Sequence, residues 1–327
     1  MMVDTLTPEP RVSEPVQMAP PSRMGDTIFK WITLVMAASV AALIVLVGWQ
    51  MWKGSQLAIQ KFGLGFLTSS TWDPVREEFG ALPFIFGTVV SSLIALIIAV
   101  PLSIATAVYL TELAPPRLRQ PIVSIVEMLA AVPSVIFGLW GIFVMIPWLR
   151  EHVFPWLQKF LGFLPLFRGP VYGVSMLAAG IIIAIMILPI ITSVSREILR
   201  SVPDLQREAA YGLGATRWEV TRIAVLSYAK RGLCGAVILG LGRALGETMA
   251  VTMVIGNRPE IAASLLAPGY TLASVIANEF TEATTDVYLS ALFEIGLVLF
   301  GVTILTNILA QLLISTIGGP RSSRAVQ

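Results

Sequence analysis

The sequence offers little with which to hold a metal or build a disulfide: it has one cysteine, Cys234, and one histidine, His152, in 327 residues. A lone thiol makes no framework of bridges and no cysteine-based metal site within the chain. His152 stands between Glu151 and aromatic residues, with no second histidine or cysteine nearby to complete a ligand set. No Gly-x-x-x-x-Gly-Lys-Ser/Thr occurs, so the chain lacks a phosphate-cradling nucleotide loop, and any ATP chemistry must come from a partner. Charge is scarce too: 13% of residues are charged against 56% hydrophobic, and the mean hydropathy is +0.81. That balance does not suit a soluble surface. A net charge of +2, with basic residues scattered or in short loops, excludes a nucleic-acid-binding patch. Neither an Asp/Glu dyad nor a histidine cluster falls within the apolar stretches, and the adjacent Glu77 and Glu78 read as solvated. The chain is therefore not expected to be an enzyme, nor to carry a catalytic residue, a metal or a cofactor.

What is present is hydrocarbon, in runs of the length a bilayer requires. A core of about 30 Å needs roughly 20 residues at 1.5 Å each. Six such runs are expected to be transmembrane helices: Ile28–Trp49, Phe84–Leu110, Ile122–Leu149, Val174–Val194, Leu233–Ile255 and Val287–Ile314. The first is too long for a signal-peptide core and lacks a small-x-small cleavage site, so it reads as uncleaved. Pro101, Pro133 and Pro189 fall inside runs and are expected to kink rather than break them, because neighbours in a packed bundle satisfy the freed carbonyls. Residues 1–27, rich in proline, serine, glutamate and arginine, read as a disordered tail. Residues 28–317 read as the membrane domain and 318–327 as a second tail. The outer loops, about 50–82, 150–173 and 256–286, are long enough to dock a partner.

Orientation follows from Lys and Arg, which cytoplasmic segments retain. With the N-terminus inside, fourteen lie on inner segments, seven on outer segments, and Arg243 lies within a span. Both termini are therefore expected in the cytoplasm. Trp49, Trp52, Trp148 and Trp156 fall near the outer boundary, as an aromatic belt does.

The inner loop 196–231 carries strong local signals. Pro203 and Asp204 suit the first turn of a short helix. Gly212 and Gly214 supply residues able to take positive φ at its end, and Thr216-Arg-Trp-Glu219 is a capping box that restarts a helix. The short helix presents Leu205, Ala209 and Leu213 at near-helical spacing, and the small Ala209, Ala210 and Gly214 leave room for insertion into a groove. This geometry alone suits equally an amphipathic connector lying on the membrane. The string Glu208-Ala209-Ala210-x-x-x-Gly214, followed by Ala224-x-Leu226-Ser227, resembles the "EAA" loop of ABC-importer permeases. The resemblance implies that Glu208, Ala209, Ala210 and Gly214 belong to a coupling helix that docks in an ATPase subunit. The family usually has isoleucine and proline where this chain has Ala224 and Ser227, a departure that bears on the bend after the loop.

In the fifth run, Arg243 lies ten residues beyond Leu233, about 15 Å along a helix and near mid-membrane. An arginine there costs about 2.5–3.5 kcal/mol on insertion scales, so it should face the bundle or an aqueous path. Glu247, at i+4, shares its face. The pair reads either as a structural ion pair or as an anion-handling site, in which the guanidinium fork matches an oxyanion and Glu247 balances it when empty. Thr248 and Thr252 are candidate hydroxyl donors. Gly242 and Gly246 form a step that admits a neighbouring helix. Glu127 and Glu294 also lie within runs and receive no role.

Longer strings carry the resemblance further. Residues 239–257, LGLGRALGETMAVTMVIGN, and 262–280, AASLLAPGYTLASVIANEF, are similar to the PstC-type permeases of phosphate-specific ABC importers. So are Val132–Gly141 and Tyr109–Pro115, and the likeness covers about residues 28–320. It implies an all-α integral membrane protein with the six-helix type I ABC importer permease fold, in the inner membrane of the cell. It also implies passage of inorganic phosphate, with a homologous second permease, an ATP-binding subunit dimer and an extracytoplasmic phosphate-binding protein as partners. The loop alone leaves open molybdate, sulfate or phosphonate as cargo; an ion-coupled secondary carrier is the reading from a different class.

Overall fold

The computed structural model describes residues 24–317, and the expectations for residues 1–23 and 318–327 lie outside them. Among the described residues, six helices are long and apolar enough to cross a membrane: α1 (Met24–Gly54), α3 (Leu82–Leu113), α5 (Ser134–Leu161), α6 (Met176–Arg200), α8 (Arg217–Leu245) and α11 (Asp286–Ile317), the last spanning through Leu312. Between them stand α2 (Gln56–Phe62), α4 (Pro116–Ala131), α7 (Asp204–Gly212), α9 (Met249–Ile255) and α10 (Leu272–Glu279). One short hairpin, β1 (Trp72–Asp73) and β2 (Glu78–Phe79), is the sheet. The chain divides at residue 48 into an N-terminal helical unit and the helical body. Met24 to Thr27, expected in the tail, are already helical.

The number of spans is as expected, but two of them run differently. Val132 is extended (ψ 127°) and Pro133 follows at ψ 142°, so the third run is broken rather than kinked: α4 ends at Ala131 and α5 begins at Ser134. The cause is local, because proline disfavours the helical region for the residue before it. Pro101 and Pro189, by contrast, lie inside unbroken helices. The fifth run begins earlier than Leu233 and stops at Leu245, before Glu247.

α6 forms the centre, with Ile182, Ile183, Ile187 and Ile191 enclosed on all sides. In lipid no hydrophobic force favours one helix over the solvent around it, so close van der Waals packing and buried hydrogen bonds must hold the bundle. Small residues make that packing possible. A Cβ at Gly180 would overlap Ile94 of α3, and Cβ atoms at Gly232 and Gly240 would lie 2.6 Å from Ile198 and Ile191 side-chain carbons of α6. Ser103 of α3 donates to the Leu188 carbonyl (3.1 Å), fastening the same two helices by a buried hydroxyl.

At the end remote from α7, aromatic rings join the hairpin to three helices. Trp72 packs edge-on against Phe79 and Phe84 at 4.8 Å, and Phe79 stacks on Tyr288 at 5.2 Å. Glu279 accepts from Trp72 Nε1 (2.7 Å) and from the Tyr288 hydroxyl (2.6 Å), which satisfies both polar handles. Burial pushes the neighbouring Tyr270 hydroxyl above its ordinary range, against the hydrogen bond from Asn278 that lowers it. The Leu272 N–H donates to Thr88 Oγ1 (2.9 Å), and Gly87 leaves no room for a side chain against the Tyr270 carbonyl. α3 is thereby tied to the segment leading into α10.

Candidate functional site

Arg243 and Glu247 flank a break in the fifth span rather than sharing one helix. Arg243 is in the last turn of α8, Gly246 leaves the helix at φ −93°, ψ 1°, and α9 starts at Met249. Glycine adopts such a conformation without a side-chain penalty, and its low helix propensity favours an end here. The break leaves Arg243 midway along the helix pair α6/α8. Gly232 lies opposite Ile198 and Gly240 opposite Ile191 in the antiparallel pair α6/α8, which places Arg243 level with about residue 188, the middle of Met176–Arg200.

The two side chains have unlike surroundings. Glu247 is 6% exposed and accepts the Ala250 N–H (3.5 Å) at the start of α9, whereas Arg243 is 49% exposed. Arg243 Nη2 stands 3.8 Å from Glu247 Oε2, close enough for Coulomb attraction and too far for a hydrogen bond. That separation places an anionic partner beside the arginine without occupying its donor fork. A half-exposed guanidinium at mid-span retains the geometry to grip an oxyanion with two parallel hydrogen bonds.

The other residues expected at this site are differently disposed. Thr248 Oγ1 donates to the Gly246 carbonyl (3.1 Å) and Thr252 Oγ1 to the Thr248 carbonyl (2.8 Å), so in this arrangement both hydroxyls offer lone pairs rather than protons. Among the described residues, a Cβ at Gly242 or Gly246 would meet no atom of another helix within 4 Å; the close approaches on α8 are those of Gly232 and Gly240. Glu127 is exposed (57% of its side chain) and stands 3.7 Å from Arg196. Glu294 is buried within α11, its Oε2 without a partner among the described residues. Cys234 is a half-buried free thiol, and His152 is exposed and stacks on Trp148.

The loop between α6 and α8 is built from backbone caps. Pro203 precedes Asp204, the first residue of α7. At its far end the Gly214 N–H donates to Tyr211 and the Ala215 N–H to Ala210, while Gly214 takes φ +83°. That is a complete Schellman closure, and only glycine accepts its φ without strain. Gly212, expected to share this role, is instead the last helical residue. Thr216 and Glu219 then form the capping box: the Thr216 N–H donates to Glu219 Oε2 (2.8 Å) and the Glu219 N–H to Thr216 Oγ1 (3.5 Å). Glu208, Ala209 and Gly214 are exposed and Ala210 is half-buried. Leu205 (77%), Leu213 (90%) and Trp218 (65%) are apolar side chains open to solvent. Beyond them, around Ala224 and Ser227, the chain passes from wide turns at Val220–Leu226 into regular helix without a break.

Residues 99–318 match the family model described as binding-protein-dependent transport system inner membrane component. The chain is 48% identical over 298 residues (90% of this chain, 91% of the relative) to the phosphate transport system permease protein PstC of Mesorhizobium japonicum. It is 47% identical over 294 residues (89% and 93%) to the protein of the same name from Haemophilus influenzae. A probable phosphate transport system permease protein PstC from Methanocaldococcus jannaschii is 37% identical over 287 residues (86% and 91%). Among solved structures, inward-facing conformations of the MetNI methionine ABC transporter include a chain with a TM-score of 0.50 at 17% identity, covering 75% of this chain and 95% of that one. At that identity the likeness speaks to the fold.

Proposed function

This chain belongs to the family of binding-protein-dependent transport system inner membrane components, and from that membership we propose that it is the permease through which an ABC importer passes inorganic phosphate into the cytoplasm. It is a multi-pass membrane subunit and not itself catalytic. The observation that carries the phosphate reading is Arg243: a cation at mid-span, beside a broken helix, held by Glu247 at 3.8 Å with its donors open. Discontinuous helices near the midplane are where transporters hold polar cargo, since irregular backbone is tolerated there only beside a cavity or protein. The names borne by the relatives, phosphate transport system permease, point the same way.

In this reading both termini and α7 face the cytoplasm. The apolar face of α7, with Glu208, Ala209, Ala210 and Gly214, seats in an ATP-binding subunit, and a second, homologous permease completes the pathway. A phosphate-binding protein docks on the opposite side, against the loops between α1 and α3 and between α9 and α11. ATP drives the cycle by binding one state of the assembly more tightly than the other, and α7 carries that difference to the spans. Arg243 lowers the cost of moving an anion through the low-dielectric zone, and Glu247 fixes its side chain.

Cargo is tested by binding-protein-dependent ATP hydrolysis in liposomes bearing the whole complex. Inorganic phosphate is expected to stimulate hydrolysis, while sulfate, molybdate and phosphonates at equal concentration are not. Stimulation by one of these and not by phosphate overturns the assignment.

A further inference from the structure

One ion pair outside the Arg243 site joins parts of the chain that sequence keeps far apart. Arg207 of α7 and Glu112 at the end of α3 are 95 residues apart, and Nη2 of the arginine donates to Glu112 Oε1 at 3.0 Å. The same guanidinium reaches the end of α6 and the start of α7: Nη2 donates to the Leu199 carbonyl (3.0 Å), and Nη1 to the Val202 carbonyl (2.6 Å) and Asp204 Oδ1 (3.1 Å). Exposed pairs of this kind contribute little. Here the two side chains are only 18% and 14% exposed, and the planar fork is engaged on both terminal nitrogens.

Glu112 is placed by a wide turn. Residues Tyr109–Leu113 close with the Ala114 N–H on the Tyr109 carbonyl (2.7 Å), five residues back. Such turns re-aim side chains at the end of an α-helix. Arg119 Nη2 donates to the Thr111 carbonyl (3.1 Å) and fastens the turn to α4. From there α3 runs the depth of the bundle, interdigitated with α6 at Gly180, to Thr88 and Gly87, which meet the Leu272 N–H and the Tyr270 carbonyl.

We infer that the Glu112–Arg207 pair is the positioning contact through which displacement of α7 reaches α3 and, along it, the Tyr270–Leu272 segment at the far end of the bundle. The inference rests on reading α7 as the lever for an ATPase. Coupling between distant sites travels through rigid elements joined by specific contacts, and α3 with this pair is such an element. The covalent link from α6 through Ser201–Pro203 to α7 reaches α3 only by way of the α3/α6 packing; the ion pair joins α7 to α3 directly.

The test uses the full complex in liposomes with its binding protein and inorganic phosphate. Glu112→Ala is expected to keep subunit assembly and basal ATP hydrolysis while raising the ATP hydrolysed per phosphate imported about tenfold. Glu112→Gln, whose amide oxygen still accepts from Nη2, is expected to stay within about threefold of wild type. Glu112→Ala combined with Arg207→Ala is expected to lose no more than the worse single variant, because the two act as one contact. A wild-type ratio in Glu112→Ala overturns the inference, as do additive losses in the double variant. Loss of the ATPase subunit from the Glu112→Ala complex overturns it too, by making the pair a brace of the fold. A wild-type complex that imports no phosphate overturns the functional reading itself and this inference with it.

Discussion

Arg243→Ala is expected to abolish phosphate import by the assembled transporter, with uptake reduced about a hundredfold or more. A buried or mid-membrane charge-assisted contact is worth about 2–5 kcal/mol when one partner is truncated, and each 1.4 kcal/mol is a factor of ten. The loss falls on transport rather than folding for a geometric reason. Glu247 keeps its hydrogen bond from the Ala250 N–H when the arginine is removed, and the pair distance of 3.8 Å shows that no hydrogen bond between the two side chains is lost. Arg243→Lys retains the charge without the planar fork and is expected to recover part of the activity. Radiolabelled phosphate uptake, measured beside subunit recovery on gel filtration, separates the two effects. Normal uptake in the assembled Arg243→Ala complex rejects the role.

Gly214→Ala is expected to uncouple or detach the ATPase subunit through backbone strain alone. No atom lies within 4 Å of where its Cβ would stand, so bulk is not the obstacle; the obstacle is φ +83°. A non-glycine residue in the left-handed region costs about 1–2 kcal/mol, which the exposed loop relieves by opening the bonds from Gly214 to Tyr211 and from Ala215 to Ala210. The end of α7 then leaves the position in which Leu213 and Trp218 present their face. Gly214→Asn, a residue that visits the left-handed region more readily, is expected to be milder, whereas Gly214→Val is expected to be the most severe, since β-branching makes positive φ a genuine outlier. Co-purification of the ATPase subunit and the ATP-to-phosphate ratio read the effect. Retention of an active, fully coupled complex by all three variants contradicts the docking assignment.

What could be read from the sequence depended on how local each signal was. The six spans were legible because a bilayer demands some twenty apolar residues in a row, and so was the start of α8, because Thr216 and Glu219 cap each other across three residues. Pro133 misled because a proline in an apolar run is compatible with both a kink and a break; the extended backbone at Val132 decides it. The break at Gly246–Thr248 was hidden for a related reason, since a Gly-x-x-x-Gly step in a membrane also marks continuous helices in close contact. Arg243 and Glu247 were legible as charged residues at i,i+4 in an apolar run, but the break between them and their unequal exposure were not. The Glu112–Arg207 pair left no signal at all. Nothing in two strings 95 residues apart states that α3 and α7 meet, and only the fold brings them together.

As a proposed permease, this chain is a passive pathway whose driving force lies in another subunit. The most direct test is uptake of radiolabelled inorganic phosphate into liposomes containing both permease subunits, with the binding protein and ATP supplied, and with the ATPase subunit either present or omitted. Accumulation against a gradient only when the ATPase subunit and hydrolysable ATP are both present is the predicted result. Accumulation by the permease subunits without the ATPase would contradict it and make the chain an ion-coupled carrier.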